Sequence, residues 1–181
     1  MITYIALLRG INVGGKNKVG MKDLKLALEE LGFSDVITYI NSGNVVFRSD
    51  NVQLAEIKSL IEVKINEVFG LNIPVLVISF DHLDDIVKHA PSWWDINKQS
   101  VDYVIFAIPP TSVSDVMSAV GDIKPEYENI AFYQQSIYWS APLETFSKSR
   151  WSKIASSSVN NNVTIRNANT VNKLLAIAKK I

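Results

Sequence analysis

The sequence predicts an α+β protein made of two ferredoxin-like (βαββαβ) subdomains joined by a short helical connector. Over residues 1–80, apolar runs of strand length and amphipathic runs of helical spacing follow in the order strand, helix, strand, strand, helix, strand. A similar order starts again beyond Trp93-Trp94, without visible residue identity, so the second subdomain is expected at 101–181 and the connector at 81–100. With 181 residues, 48% of them hydrophobic, the chain can fill such a core, and the absence of cysteine excludes a disulfide framework or thiolate metal site.

The first strand is the nearly continuous apolar run Ile2 to Leu8, followed at once by a glycine-rich loop through Gly20. Met21, Leu24, Ala27, Leu28 and Leu31 then fall at helical spacing, with Asp23 in the first turn where the helix dipole favours it and Gly32 as the left-handed stop. Val36 to Ile40 alternate as a strand, Asn41-Ser42-Gly43-Asn44 supplies a turn and Val45 to Arg48 return, which is a hairpin signal. Asp50 or Asn51 is placed to cap a second helix bearing Leu54, Ile57, Ile61, Ile65 and Val68, stopped by Gly70, and Pro74 opens the strand Val75 to Phe80.

Asp81 is the expected cap of the connector helix, which carries Leu83, Ile86, Val87 and Ala90 and ends at Pro91, with Trp93-Trp94 plugging the junction. Next come a strand over Val101 to Ile108, a helix with Val113, Val116, Met117 and Val120 stopped by Gly121, and a hairpin from Asn129 to Gln134 and Ile137 to Ser140. Trp151, Ile154 and Ala155 mark a further helix, Val163 to Arg166 a short strand, and Val171, Leu174, Leu175 and Ala178 the last helix.

Basic and acidic residues balance at 18 each, so bulk charge gives no reason for avid nonspecific binding to nucleic acid. The balance hides a segregation. Residues 1–22 carry Arg9, Lys16, Lys18 and Lys22 and no acid, and seven bases follow Glu144 with no acid, so residues 23–144 hold a net −11. Either ends and middle neutralise one another over a mixed surface, or the two basic ends meet in one positive site. Met1 to Leu8 is too short to span a bilayer and its positive charge follows the apolar run, so a cytoplasmic protein without membrane contact is expected.

Leu7-Leu8-Arg9-Gly10-Ile11-Asn12-Val13-Gly14-Gly15, with Met21 and Leu24, then Thr38-Tyr39-Ile40-Asn41-Ser42-Gly43-Asn44-Val45-Val46-Phe47, and finally Thr164-Ile165-Arg166-Asn167 with Asn169-Thr170-Val171, resemble the signatures of a bacterial domain-of-unknown-function family, number sixteen-ninety-seven. The resemblance spans nearly the whole chain and implies a two-part α+β protein; it brings no activity, ligand or catalytic residue. Two positions depart from the family pattern: Asn41 stands where Gln is common, and Ala168 where Trp is frequent, and the loss of that ring weighs against stacking of the second signature on a base.

Gly10-Ile11-Asn12-Val13-Gly14-Gly15-Lys16-Asn17 fits the phosphate-loop pattern until its last position, where Asn17 replaces the Ser or Thr that would hold magnesium. Helical spacing begins only near Met21, so Lys16 is not on a helix's first turn and nucleotide hydrolysis is not expected. The remaining readings are a structural glycine turn or a metal-free anion nest made by the Gly14 and Gly15 N–H groups with Lys16 and Arg9. Asn12, Asn41, Ser42, Asn44, Asn167 and Asn169 are either turn and cap residues or a polar recognition rim converging with Arg9, Lys16 and Arg166. His82 and His89 are expected at the surface without a metal, and no Ser-His-Asp order or pair of buried carboxylates stands out.

The expected function is a non-catalytic, cofactor-free binding module for an anionic ligand, a nucleotide or nucleic acid, held by Arg9, Asn12, Gly14, Gly15, Lys16, Asn41, Ser42, Asn44, Arg166 and Asn167. The alternatives are an enzyme acting on a small phosphorylated metabolite through the same loop, and a homo-oligomeric interaction protein; the chain itself is read as monomer or homodimer.

Overall fold

The computed structural model describes residues 1–181. The first sheet contains β1 (Ile2–Leu8), β2 (Ser34–Tyr39), β3 (Asn44–Ser49) and β4 (Val75–Ser79) in the order β2-β3-β1-β4, all neighbours antiparallel. With α1 (Met21–Glu29) and α2 (Leu54–Phe69) this is the ferredoxin-like arrangement. Period-two alternation sends Tyr4, Ala6 and Leu8 of β1, Val45 and Phe47 of β3, and Val75 and Val77 of β4 into one core with Leu24 and Leu28 of α1 and Ile57, Ile61 and Ile65 of α2. Gly70 ends α2 with φ 66°, as a left-handed stop requires.

The second sheet repeats the topology: β5 (Ser100–Ala107), β6 (Asn129–Tyr133), β7 (Ser136–Pro142) and β8 (Val163–Asn167) lie in the order β6-β7-β5-β8. Beneath it α4 (Val113–Val120) packs Val116 against Ile105, Ile137, Trp139 and Trp151. A capping box starts α4, the Ser112 hydroxyl accepting from Asp115 N and the Asp115 carboxylate from Ser112 N.

Three sequence expectations are corrected. The segment around Trp151 is not an α-helix but short 3-10 turns, Leu143–Lys148, Trp151–Ser156 and Asn160–Asn162. Serine causes this. Ser149, Ser152 and Ser157 donate their hydroxyls to the carbonyls of Phe146, Ser149 and Ile154, each three residues back, at 2.6–2.9 Å, competing with i−4 helical bonding. α2 is entered through Gln53 rather than a side-chain cap, Asn51 Oδ1 accepting from Gln53 N at 2.9 Å instead. The helix after β4, α3 (Phe80–Lys88), follows the strand without a break, and its cap is Ser79, whose hydroxyl accepts from His82 N at 3.2 Å, not Asp81.

The chain divides into two compact units, Met1–Asp84 with Lys173–Ile181, and Asp85–Asn172. The division therefore falls within α3 rather than on either side of a separate 81–100 connector, and within α5 (Ala168–Ala178), whose last part belongs to the first unit. Trp94 is buried in the second unit, its indole N–H donating to Tyr103 O at 3.2 Å and its ring edge-on to Tyr138. No helix is long and apolar enough to cross a membrane.

Candidate functional site

The glycine loop lies in the first unit between β1 and α1. Its tip is a hairpin in miniature: Val13 bridges Lys16, Lys16 N donates to Val13 O at 3.0 Å, and Asn12 N donates to Asn17 O at 3.1 Å. Gly14 and Gly15 hold φ of 56° and 75°, the consecutive positive values that a primed two-residue turn demands. A Cβ on either glycine would meet nothing within 4 Å. Conformation therefore selects glycine here, and the space above the backbone is open. Lys16 and Lys18 are both exposed on this loop.

Asn12 fastens the loop. With φ 55°, its side-chain amide donates to Val19 O and to Asn41 O at 2.9 Å each, while its Oδ1 accepts from Val19 N at 2.9 Å. Asn17 donates its amide back to Gly10 O at 2.9 Å. The Asn41 carbonyl belongs to the β2–β3 turn, so the loop and that turn are tied. Leu8 N donates to Gly43 O at 2.8 Å, and Gly43 packs so closely that an added Cβ would lie 2.7 Å from Leu8 Cβ. Asn44, fully buried, donates to Tyr39 O at 3.1 Å and to the Ser42 hydroxyl at 2.9 Å. Here the two longest signature stretches meet.

Beside the tie is a cleft of about 460 Å³ lined by Asn12, Gly15, the Lys18–Met21 stretch and Asn41. Asp23 folds back over the start of α1, its carboxylate 2.6 Å from where a Gly20 Cβ would stand, so a carboxylate already occupies that helix end. Arg9 is half-buried, and burial lowers its pKa; its backbone N–H donates to Pro74 O at 3.0 Å.

Arg166 and Asn167 lie in the second unit, on β8. Arg166 is 8% exposed, its guanidinium donating to Thr164 Oγ1 and Ile165 O at 2.9 Å, and burial pushes its pKa down to about 10. Asn167 is exposed and caps α5, its Oδ1 accepting from Thr170 N at 2.8 Å.

Two polar groupings of the second unit were not foreseen. Asp85 accepts from Tyr133 Oη at 2.8 Å and Gln134 Nε2 at 3.1 Å, while His89 stacks on the Tyr133 ring at 4.1 Å with its Nδ1 3.2 Å from Asp85. Bonding to Asp85 raises the Tyr133 pKa. His89 is at the surface as expected, but His82 is half-buried with its Nε2 enclosed and unpartnered. Glu128 is 2% exposed and accepts four N–H bonds at 2.8–3.0 Å, from Lys124 N, Arg150 N, Trp151 N and Trp139 Nε1. It is a structural hub, signalled in the sequence only as an acid just ahead of a strand.

These features define a double ferredoxin-like α+β protein whose first unit presents a cationic glycine loop braced by a β-hairpin turn. The chain belongs to the family described as Protein of unknown function (DUF1697), whose model matches residues 1–138. It is similar to the solved structure of the conserved bacterial protein SP0830 from Streptococcus pneumoniae, with a TM-score of 0.87 and 29% identity over 98% of each chain. No curated protein matches the sequence.

Proposed function

We propose that this protein is a non-catalytic binding module for an anionic ligand, a nucleotide or a segment of nucleic acid, and that the glycine loop of the first unit makes the contact. One observation carries the reading: Lys16 and Lys18 stand exposed on a loop with open space above Gly14 and Gly15, in a stretch of 22 residues without an acid, beside a cleft of phosphate-accommodating size. Glycine N–H groups and lysine ammonium groups are the donors a metal-free phosphate site uses. Asn12 holds the loop to the hairpin turn, and Asn41 lines the cleft with it.

Arg9 stands where β1 runs into this loop, and Ser42 and Asn44 hold the turn that braces it. Arg166 and Asn167 belong to the second unit, and the loop is proposed to act with its own cations first. With the Asp23 carboxylate beside Gly20 of that cleft and an otherwise balanced chain, affinity is expected to be modest and to fall as salt rises.

The test is a titration of the full chain with single-stranded RNA and with a mixture of nucleotides at rising salt. Binding at low salt should fall log-linearly as salt increases, and Lys16→Ala and Lys18→Ala should each weaken it about threefold, the worth of one exposed charge contact. Absence of binding at low salt, or binding that both substitutions leave intact, defeats the reading; both side chains are exposed, so folding does not confuse the result.

A further inference from the structure

A second cavity, of about 520 Å³, lies wholly within the second unit, where β5 outruns its neighbour. The last pair between β5 and β8 is Tyr103 with Asn167, so Ser100, Val101 and Asp102 have no strand partner on that side, and the cavity occupies the place that β8 vacates as the chain turns into α5. Asp102 lines it. This aspartate is 9% exposed, sits opposite Ser140 on β7, and has its Oδ1 enclosed without any hydrogen-bond partner.

We propose that this cavity binds a small organic cation, an amine or guanidinium group on a short apolar body, with Asp102 as its anchor. A buried carboxylate that no donor satisfies is costly for a fold to keep, so Asp102, which lines the cavity and makes no hydrogen bond through Oδ1, is suited to anchor a donor placed there. The cavity is far larger than the roughly 30 Å³ share of one water, and within the range of small-molecule sites. Its walls suit such a ligand: Val101, Ala168 and Ile96 offer apolar surface, and Asn169 a polar rim. Lys98 also lines the cavity but leaves Asp102 Oδ1 unpartnered.

A divalent metal fits less well. Only Asp95 and Asp102 are acids here, Asp95 is engaged by Asn172 Nδ2 at 2.7 Å, and no group of three or more acids and histidines is gathered anywhere in the chain. The inference stands apart from the anion reading, since it concerns the other unit and the opposite charge.

The experiment records amide correlation spectra of the full ¹⁵N-labelled chain during titration with n-butylammonium chloride, with the isosteric neutral n-butanol, and with magnesium chloride. Butylammonium should give saturable shifts confined to residues 95–103 and 167–169, with a Kd of about 1 mM for so small a ligand. Butanol should bind at least about tenfold more weakly, as should butylammonium to Asp102→Asn, which keeps the shape and removes the charge. The unliganded Asp102→Asn protein should melt no lower than the parent, because Oδ1 has no hydrogen bond to lose. No local shift by about 20 mM butylammonium, twenty times the Kd expected for its size, overturns the proposal. So do an equal response to butanol, an undiminished response of Asp102→Asn, or tighter occupation by magnesium. The comparison of butylammonium with butanol uses the unaltered chain and decides the matter even if the variant does not fold.

Discussion

Gly43 meets two separate demands at one position. Its φ of 81° lies where an L side chain is strained, and a methyl group there would press on Leu8 Cβ at 2.7 Å and on the Ile11 side chain at 3.1 Å. Gly43→Ala should therefore cost about 2–4 kcal/mol, adding overpacking to backbone strain, and a lowered urea midpoint with unchanged slope would show it. Gly14→Ala should cost less, because only conformation opposes it and the space is open. Glu128 is the corresponding case among polar residues. Gln at that position keeps one carbonyl oxygen and turns an NH2 group toward two of the four N–H donors, so Glu128→Gln should lose about 3 kcal/mol by the same measurement. Neither role was legible beforehand. Gly43 reads as an ordinary turn glycine and Glu128 as an ordinary acid, because Leu8 and the residues donating to Glu128 are brought near only by folding.

Among the elements, those that formed as expected have strong local punctuation. α2 stops at Gly70 and α4 at Gly121, and β2 and β3 are joined through Gly43, each at a positive φ that the residue type itself supplies. α4 also carries a local start. The Ser112 hydroxyl and backbone N–H hold the Asp115 carboxyl below its ordinary value of 3.8, the hydroxyl contributing more. A depressed carboxylate pKa stabilises the fold above the unfolded value and loses that effect as pH falls through the folded one. Ser112→Ala should cost about 1 kcal/mol near neutral pH, as loss of an N-cap usually does, and thermal melts should show the difference from the parent narrowing below about pH 4. The turns around Trp151 deceived because apolar spacing alone suggests a helix. There the serine hydroxyls decided, by bonding to carbonyls three residues back.

At the scale of the whole molecule, the chain returns to its first unit after building its second: Lys173–Ile181 groups with Met1–Asp84. Leu174 and Ala178 in that segment are 1% and 3% exposed. A chain ending at Asn172 should therefore lose at least about 3 kcal/mol, the worth of one large buried side chain and its neighbour, with hydrogen-exchange protection falling first in β1–β4 rather than in β5–β8. Contiguous sequence division cannot anticipate such a return, since nothing in the spacing of Val171, Leu174 and Ala178 says which unit they complete.

From the sequence alone came the βαββαβ order, most helix stops, the likeness to the family and the cationic glycine loop, because periodicity, positive-φ residues and charge runs act within a few positions of one another. Tertiary structure decided that Asn12 would spend its amide on the Asn41 carbonyl, that Arg166 would be enclosed, and that Asp102 would stand unpaired beside a cavity. Those outcomes depend on strand register and on where β8 ends, and a side chain's partner across a sheet is set by residues tens of positions away.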